Sequence, residues 1–268
     1  IENFMYRTTD DGLTWSTIPA PGNYCYDLFA FEDQLYALWN NKYWRLNLIG
    51  LNWELISPDF GKGNYPNGIY ISGQNRIFST ENSIVASIDD GLNWKTSSFG
   101  RHNNDDPFIP IGKRIYKLGN FSGLLYTEDS GLNWQIVNIE TTYSIIDLAS
   151  VGGKLLGSSY NKGVLSFDEN KSNFISADKG LYSAVVYNLA LGIDFLWAAC
   201  GNGVFGFNLK TFNWLDNQNL PIPKWQYSRI AISSSAYVAG SEQYDSKLYL
   251  SKNQGLSWDT LFPFKNTM

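Results

Sequence analysis

The sequence predicts an all-β repeat protein, for three reasons. First, an eight-residue phrase recurs as TTDDGLTW, SIDDGLNW, TEDSGLNW and SKNQGLSW at residues 8–15, 87–94, 127–134 and 251–258. Second, weaker copies fill the gaps, so the aromatic residue that ends each copy recurs at steps of 38, 41, 40, 40, 40 and 44 residues. Third, no long segment keeps the helical period of about 3.6 residues. A spacing near 40 residues indicates a repeat architecture.

Each repeat is predicted to contain four short β-strands. Residues 21–57 contain the runs YDLFAF, QLYALW, YWRLNL and NWELIS, and residues 139–176 contain IIDLAS, KLLGSS, GVLSFD and NFIS. These runs are rich in aromatic and β-branched residues and are bounded by Gly, Asn and Asp, as strands usually are. Four-stranded units that repeat radially are typical of a β-propeller. Stacked blades bury both faces of each sheet, which explains why the runs are apolar on both sides.

The repeat count predicts one domain over residues 1–268, a seven-bladed β-propeller with an incomplete first blade. The first phrase begins at Thr8, so the first unit has room only for its last two strands. After Trp258 only one further strand fits. The alternative is a six-bladed propeller with an added hairpin.

The recurring phrase, called the corner turn below, is predicted to close the hairpin between the third and fourth strands. Its glycine can adopt the positive φ that a tight turn requires. Its Asp, or Asn in the last copy, can accept hydrogen bonds from the turn's own amides. Its Trp is expected to fold back over the hairpin and fill the gap to the next blade. These structural residues are Asp10, Gly12, Trp15, Asp89, Gly91, Trp94, Asp129, Gly131, Trp134, Asn253, Gly255 and Trp258.

The corner turn resembles the BNR or Asp-box repeat of sialidase-like β-propellers, with the pattern S/T-x-D-x-G-x-S/T/N-W. The spacing covers nearly the whole chain and is also similar to that of the seven-bladed photosystem assembly factor propellers and of the xyloglucanase propellers. In this family the boxes lie on the face opposite the functional site. The resemblance therefore implies a fold and a face for binding, and it says little about activity.

Candidate ligand-binding residues fall in two groups. Asp27, Asp147, Asn188 and Arg229 occupy one repeat position, directly before an apolar residue of the first strand. This position would contribute to a ring of polar side chains near the channel mouth. The alternative is that each side chain caps its own strand or satisfies the backbone of a neighbouring blade. The second group lies in long loops, where binding residues concentrate, and comprises Arg101, His102, Trp225 and Tyr65.

An enzymatic function is the second hypothesis. Sialidases of this family clamp a sugar carboxylate with three arginines. Only Arg101 and Arg229 are predicted on the functional face, so that clamp cannot be assembled. Another glycoside hydrolase or a lyase needs only a carboxylate pair, which two of Asp27, Asp147, Asp105 and Asp106 could supply. No catalytic residue is assigned. His102 is the only histidine, which excludes a His-rich metal centre, and no metal or cofactor is predicted.

Composition narrows the choice of partner and compartment. The net charge of −5 disfavours nucleic acid, and no apolar run approaches the roughly 18 residues needed to enter a membrane as a helix. Cys25 and Cys200 are expected to be separate buried thiols, and a disulfide between them is the alternative. The chain begins with Ile and carries no signal peptide, so we expect a mature or excised portion of an extracellular or periplasmic protein, monomeric or part of a larger chain. The leading hypothesis is a noncatalytic exported β-propeller that binds a glycan or a protein.

Overall fold

The computed structural model describes most of the chain, and every regular element in the described part is a β-strand. For some strand residues, Asp27 and Arg229 among them, the description is limited to the backbone. Over the described residues, no helix has the length and hydropathy to cross a membrane. The described residues are 4–7, 14–22, 25–31, 34–60, 64–99, 107–119, 123–139, 144–177, 179, 181, 185–201, 203–211, 213–215, 228–232, 237–241 and 248–261.

The described strands form six four-stranded sheets and one two-stranded sheet. Within each four-stranded sheet, strands adjacent in sequence pair antiparallel, which gives a simple meander. The predicted all-β fold and the predicted four strands per repeat are therefore confirmed. The seven-bladed count is wrong and the six-bladed alternative is observed, because the first hairpin pairs with no third strand among the described residues.

The sheets are distributed over two compact units, and unit 1 comprises Ile1–Asp105 and Ser130–Leu132. It contains the two-stranded N-terminal hairpin (β1 and β2), blade 1 (β3 to β6) and blade 2 (β7 to β10). The strands are β1 (Phe4–Arg7), β2 (Ser16–Pro19), β3 (Cys25–Phe31), β4 (Gln34–Trp39), β5 (Lys42–Asn47), β6 (Asn52–Leu55), β7 (Pro66–Ser72), β8 (Asn75–Thr80), β9 (Ser83–Ser87) and β10 (Lys95–Ser98).

Unit 2 comprises Asp106–Asp129 and Asn133–Met268 and holds blades 3 to 6. The first strands of its blades lie side by side, in the order β11, β15, β19 and β23. The strands are β11 (Ile109–Ile111), β12 (Arg114–Leu118), β13 (Gly123–Thr127), β14 (Gln135–Asn138), β15 (Ile145–Val151), β16 (Lys154–Ser159), β17 (Gly163–Asp168), β18 (Asn173–Ser176), β19 (Val186–Leu191), β20 (Phe195–Cys200), β21 (Gly203–Asn208), β22 (Asn213–Trp214), β23 (Ser228–Ile232), β24 (Tyr237–Ser241), β25 (Leu248–Ser251) and β26 (Asp259–Leu261).

Within each unit, the hydrophobic core lies between consecutive blades. In unit 1, Tyr43 of blade 1 stacks on Phe78 of blade 2 with ring centroids 5.0 Å apart. In unit 2, separate buried clusters join blades 3 and 4, blades 4 and 5, and blades 5 and 6. The second strands contribute much of this core, and five of the six residues of β20 are buried. Both cysteines are thiols, as expected, and Cys200 is buried, but the expectation that Cys25 is also buried is wrong, because Cys25 is exposed.

Each described corner turn is closed by one acidic or amide side chain. Asp89 accepts hydrogen bonds at Oδ1 from Ser87 Oγ (2.7 Å) and the Asn93 amide (2.9 Å), and at Oδ2 from Asn93 Nδ2 (2.7 Å). Asp129 makes the same bonds with Thr127 and Asn133. Two consecutive residues then have positive φ, the second being the glycine: Asp90 and Gly91, Ser130 and Gly131, Gln254 and Gly255. Asp10 and Gly12 of the first copy lie outside the described residues.

The corner tryptophans are half-buried rather than fully enclosed. Trp94 contacts Phe78 and Trp134 contacts Phe108, with ring centroids 5.6 Å and 6.0 Å apart. Trp258 meets the buried Trp197 of the preceding blade edge-on at 6.3 Å. Trp15 does not follow the prediction, because 61% of its surface is exposed. Among the described residues, the first hairpin has no inner strands against which such a ring would pack.

Replacing Asp89 with Asn is expected to lower the free energy of unfolding modestly. The new side-chain NH2 group would face the NH2 group of Asn93, and neither group could accept a hydrogen bond from the other. The hydrogen bonds from Asn93 and Ser87 lower the pKa of Asp89 from 3.8 to about 2. A lowered folded-state pKa gives stability that is complete above about pH 4 and is lost as the pH falls through about 2. In urea denaturation, the stability difference between wild type and Asp89→Asn should be constant near neutral pH and should disappear near pH 2.

A double variant provides the control for this prediction. In blade 6, Asn253 stands in place of the Asp and donates from Nδ2 to Ser257 Oγ at 2.7 Å. Asp89→Asn combined with Asn93→Ser reproduces that pairing and should recover part of the stability without the acid dependence. Equal instability of the single and double variants would contradict the proposed clash of donors.

Candidate binding site

One end of unit 2 collects the starts of the first strands and the turns between second and third strands. In blade 4 the Tyr160 amide donates to Ser144 O at 3.1 Å, and in blade 5 the Gly201 amide donates to Val185 O at 3.2 Å. We call the surface around these four residues the loop face. The corner turn of blade 6 lies at the other end of its blade, because it follows the end of the third strand.

The repeat position predicted as a polar ring lies just inside the loop face. The first strands of blades 4 and 5 each carry a β-bulge here, between Ile145 and Asp147 and between Val186 and Asn188. A bulge re-aims the side chain that follows it. As a result, the Asp147 and Asn188 side chains point along the row of first strands toward the next blade.

These two side chains link three blades by hydrogen bonds. Asp147 Oδ1 accepts from the amide of Leu148 at 2.8 Å, and Oδ2 accepts from the amide of Leu189 in blade 5 at 3.0 Å. Asn188 Nδ2 also donates to Asp147 Oδ2, at 3.1 Å. Asn188 Oδ1 in turn accepts from the amide of Ile230 in blade 6, at 3.2 Å. Each side chain therefore satisfies the backbone of the following blade, which is the structural alternative considered for this position.

The other two residues of the predicted ring are described only through their backbones. Asp27 pairs with Leu38 in blade 1, and Arg229 pairs with Gly240 in blade 6, so both occupy the same register position as Asp147. In blade 2 this position is held by Gly68, opposite Ser79. This position therefore carries no side chain in blade 2.

Two tyrosines on the loop face were not singled out from the sequence. Tyr160, in the turn after β16, has 51% of its surface exposed. Its ring meets that of Tyr187 edge-on, with centroids 6.0 Å apart, and Tyr187 occupies the bulge directly before Asn188. The sequence signal for Tyr160 was an aromatic residue in a short turn. It was missed because binding residues were sought in the longer loops.

Among the loop candidates, Tyr65 lies in the described part of unit 1 and is 52% exposed. Its neighbour Asn64 donates to Phe60 O at 2.9 Å and accepts from Asn82 Nδ2 at 3.2 Å. These bonds hold the loop before β7 against the turn after β8. Arg101, His102 and Trp225 lie outside the described residues.

Two arginines form ion pairs at the beginnings of second strands. These beginnings lie at the end of each blade opposite the start of its first strand. Arg76 is buried, forms an ion pair with Asp90 and donates to Ile56 O. Arg114 bonds Glu128 at 2.8 Å, and hydrogen bonds to Tyr116 and Glu128 raise the pKa of Arg114. Burial likewise raises the pKa of the Tyr116 hydroxyl. These guanidinium groups stabilise the corner-turn ends of their blades.

Comparison with solved structures identifies the architecture. A structure of YCF48 bound to a D1 peptide superimposes with a TM-score of 0.64 at 15% identity, over 91% of this chain and 82% of that chain. The GH74 xyloglucanase from Xanthomonas campestris gives 0.68 at 10% identity, over 97% of this chain and 47% of that one. The chain has the β-propeller fold.

The other comparisons give no finer classification of this propeller than its fold. The extracellular domain of BT4673 from B. thetaiotaomicron gives a TM-score of 0.64 at 12% identity, over 90% of this chain and 33% of that one. No protein-family model matches the propeller. No curated protein sequence matches it either. The propeller therefore spans about half of the xyloglucanase and a third of BT4673, and its likeness to all three structures is one of fold.

Proposed function

We propose that residues 1–268 form a single noncatalytic propeller domain that binds a protein or glycan partner through the loop face. We further infer that the corner turns are Asp boxes, since Asp89 and Asp129 close identical turns at a 40-residue interval. An exported location, extracellular or periplasmic, is part of this proposal. The similarity to the extracellular domain of BT4673 supports that location.

The observation that carries the noncatalytic proposal is the engagement of Asp147. Both of its oxygens accept hydrogen bonds from the protein, two of them from backbone amides. A general acid or nucleophile must instead reach the substrate and exchange a proton or form a bond with it. One of the carboxylates considered for glycoside hydrolysis is thus held as a structural acceptor.

The exposed aromatic surface supports a binding role. Tyr160 presents half of its surface to solvent while its ring is held by Tyr187. A tyrosine supplies a large contact area with few rotatable bonds, and tyrosines are enriched in protein interfaces. The comparison structure of YCF48 contains a bound D1 peptide, which favours a peptide segment over a glycan as the partner.

The test is a binding selection followed by a matched pair of variants. The purified chain is screened against a displayed random peptide library and a glycan microarray, and the best ligand is titrated by fluorescence anisotropy. We expect Tyr160→Ala to weaken binding about tenfold, which corresponds to about 1.4 kcal/mol. Tyr6→Ala is the control, because Tyr6 is also exposed but lies in the N-terminal hairpin.

Two results would overturn parts of this proposal. Equal affinities for wild type and Tyr160→Ala would remove the loop face of blades 4 and 5 as the contact surface. New reducing ends from xyloglucan, sialosides or another polysaccharide would contradict the noncatalytic role and would favour the glycoside hydrolase alternative. Thermal melting of each variant checks that folding is unchanged.

A further inference from the structure

A cavity of about 150 Å³ lies between blades 4 and 5 of unit 2. Blade 4 contributes Val151, Lys154, Leu156, Val164, Ser166 and Ala177, and blade 5 contributes Leu196, Phe207 and Trp214. Most of the lining is aliphatic or aromatic. The cavity is distinct from the tyrosine pair and the Asp147 network described above.

The cavity has a specific structural cause. In two of the three described corner turns, the glycine packs against the third residue of a neighbouring second strand, whereas Gly91 lies against Arg76 and Trp94. A Cβ on Gly131 would lie 2.8 Å from Ile77 Cδ1, and a Cβ on Gly255 would overlap the Trp197 ring. Ile77 and Trp197 are both the third residues of their strands. The glycine turn therefore fills the space beside that position.

Blade 5 lacks such a glycine, because Thr211 stands where Gly255 stands in blade 6 when the two are aligned on Trp214 and Trp258. The turn of blade 5 is closed differently: Asn208 Oδ1 accepts from the amides of Lys210 and Thr211 at 2.9 Å and 3.0 Å. Thr211 is exposed and does not insert. The space beside the third residue of β16, Leu156, is left open.

The size and lining of this space define what it accepts. A cavity of about 150 Å³ with aliphatic and aromatic walls is large enough for benzene. Two polar groups give the cavity a preference for a ligand that carries a hydrogen-bond acceptor. The Trp214 Nε1–H is buried and has no acceptor among the described residues. Lys154, on the rim, is exposed and takes part in no ion pair between described residues.

We propose that this inter-blade cavity binds a benzene-sized aromatic ring that bears a carboxylate, with the ring between the blades and the carboxylate at Lys154. The apolar walls of Leu156, Val164 and Phe207 enclose the ring. The Lys154 ammonium supplies the charge that selects the anion, and the Trp214 N–H supplies a second donor. This site is independent of the loop face and of its partner.

The probe is 4-fluorobenzoate, with binding followed by ¹⁹F NMR line broadening. We expect saturable binding to the wild type with a Kd of about 1 mM or lower, as suits a ligand of so few atoms. Ala177→Leu places three more carbons in the cavity and should weaken binding at least about tenfold. Ser166→Val is a second, smaller filling variant, so that the test does not depend on the folding of one protein.

Charge selection is tested with a neutral probe and a matched lysine. Lys154→Met should weaken 4-fluorobenzoate several-fold and leave 4-fluorobenzyl alcohol unchanged, whereas Lys162→Met, an exposed lysine outside the cavity, should affect neither. Absence of saturable 4-fluorobenzoate binding would overturn the proposal. Binding that survives both filling variants, or equal binding of the two probes to the wild type, would also overturn it.

Discussion

Gly255→Ala is expected to destabilise the protein by about 2–5 kcal/mol. Gly255 has φ of +82° and lies against Trp197, whose ring is fully buried. The new methyl group would enter the space that this ring occupies. The ring cannot retreat easily, because Phe195, Tyr237 and Trp258 surround it with centroids 5.8, 5.8 and 6.3 Å away. Urea denaturation measures the loss.

Gly152→Ala is the matched control for this prediction. Gly152 also has positive φ, +55°, but a Cβ there would meet no described atom within 4 Å. The control therefore carries only the backbone term of about 1–2 kcal/mol, and the excess loss in Gly255→Ala measures the steric term. Equal losses in the two variants would mean that Trp197 can shift and that the corner turn is not wedged between blades 5 and 6.

The blades were predictable because their signals are local. The Trp-terminated corner turn and the four strands around it occupy about 40 consecutive residues, so spacing alone located all six meanders. The corner chemistry was equally local: Asp89 and Asn93 are four residues apart and bond each other. Whether the first hairpin belongs to a complete blade could not be predicted in this way. The answer depends on which strands pair with β1 and β2 in three dimensions.

The candidate site was only partly predictable for the same reason. The sequence aligned Asp147 and Asn188 at one repeat position but left open whether they bind a ligand or a neighbouring blade. That choice depends on the 3.0 Å distance from Asp147 to the Leu189 amide, 42 residues away. The inter-blade cavity was also invisible, since an exposed Thr211 becomes informative only when Gly255 is seen to fill the equivalent space.

Asp147→Ala is expected to destabilise the protein by about 2–4 kcal/mol, because it removes the acceptor for the Leu189 amide and for Asn188 Nδ2. Both donors are partly buried between first strands, so their loss of a partner is only partly compensated by water. Ser150→Ala is the control in the same strand and should change the free energy of unfolding by no more than about 0.5 kcal/mol. Urea denaturation measures both variants.

A double-mutant cycle tests whether the blades are coupled through these side chains. Asn188→Ala alone removes the acceptor for the Ile230 amide and the donor to Asp147. If Asp147 and Asn188 form one continuous link across blades 4, 5 and 6, the double variant should lose clearly less stability than the sum of the single variants. Strict additivity would indicate two independent caps. A stable Asp147→Ala protein that has lost ligand affinity would instead return this carboxylate to the ligand-binding role that its sequence position allowed.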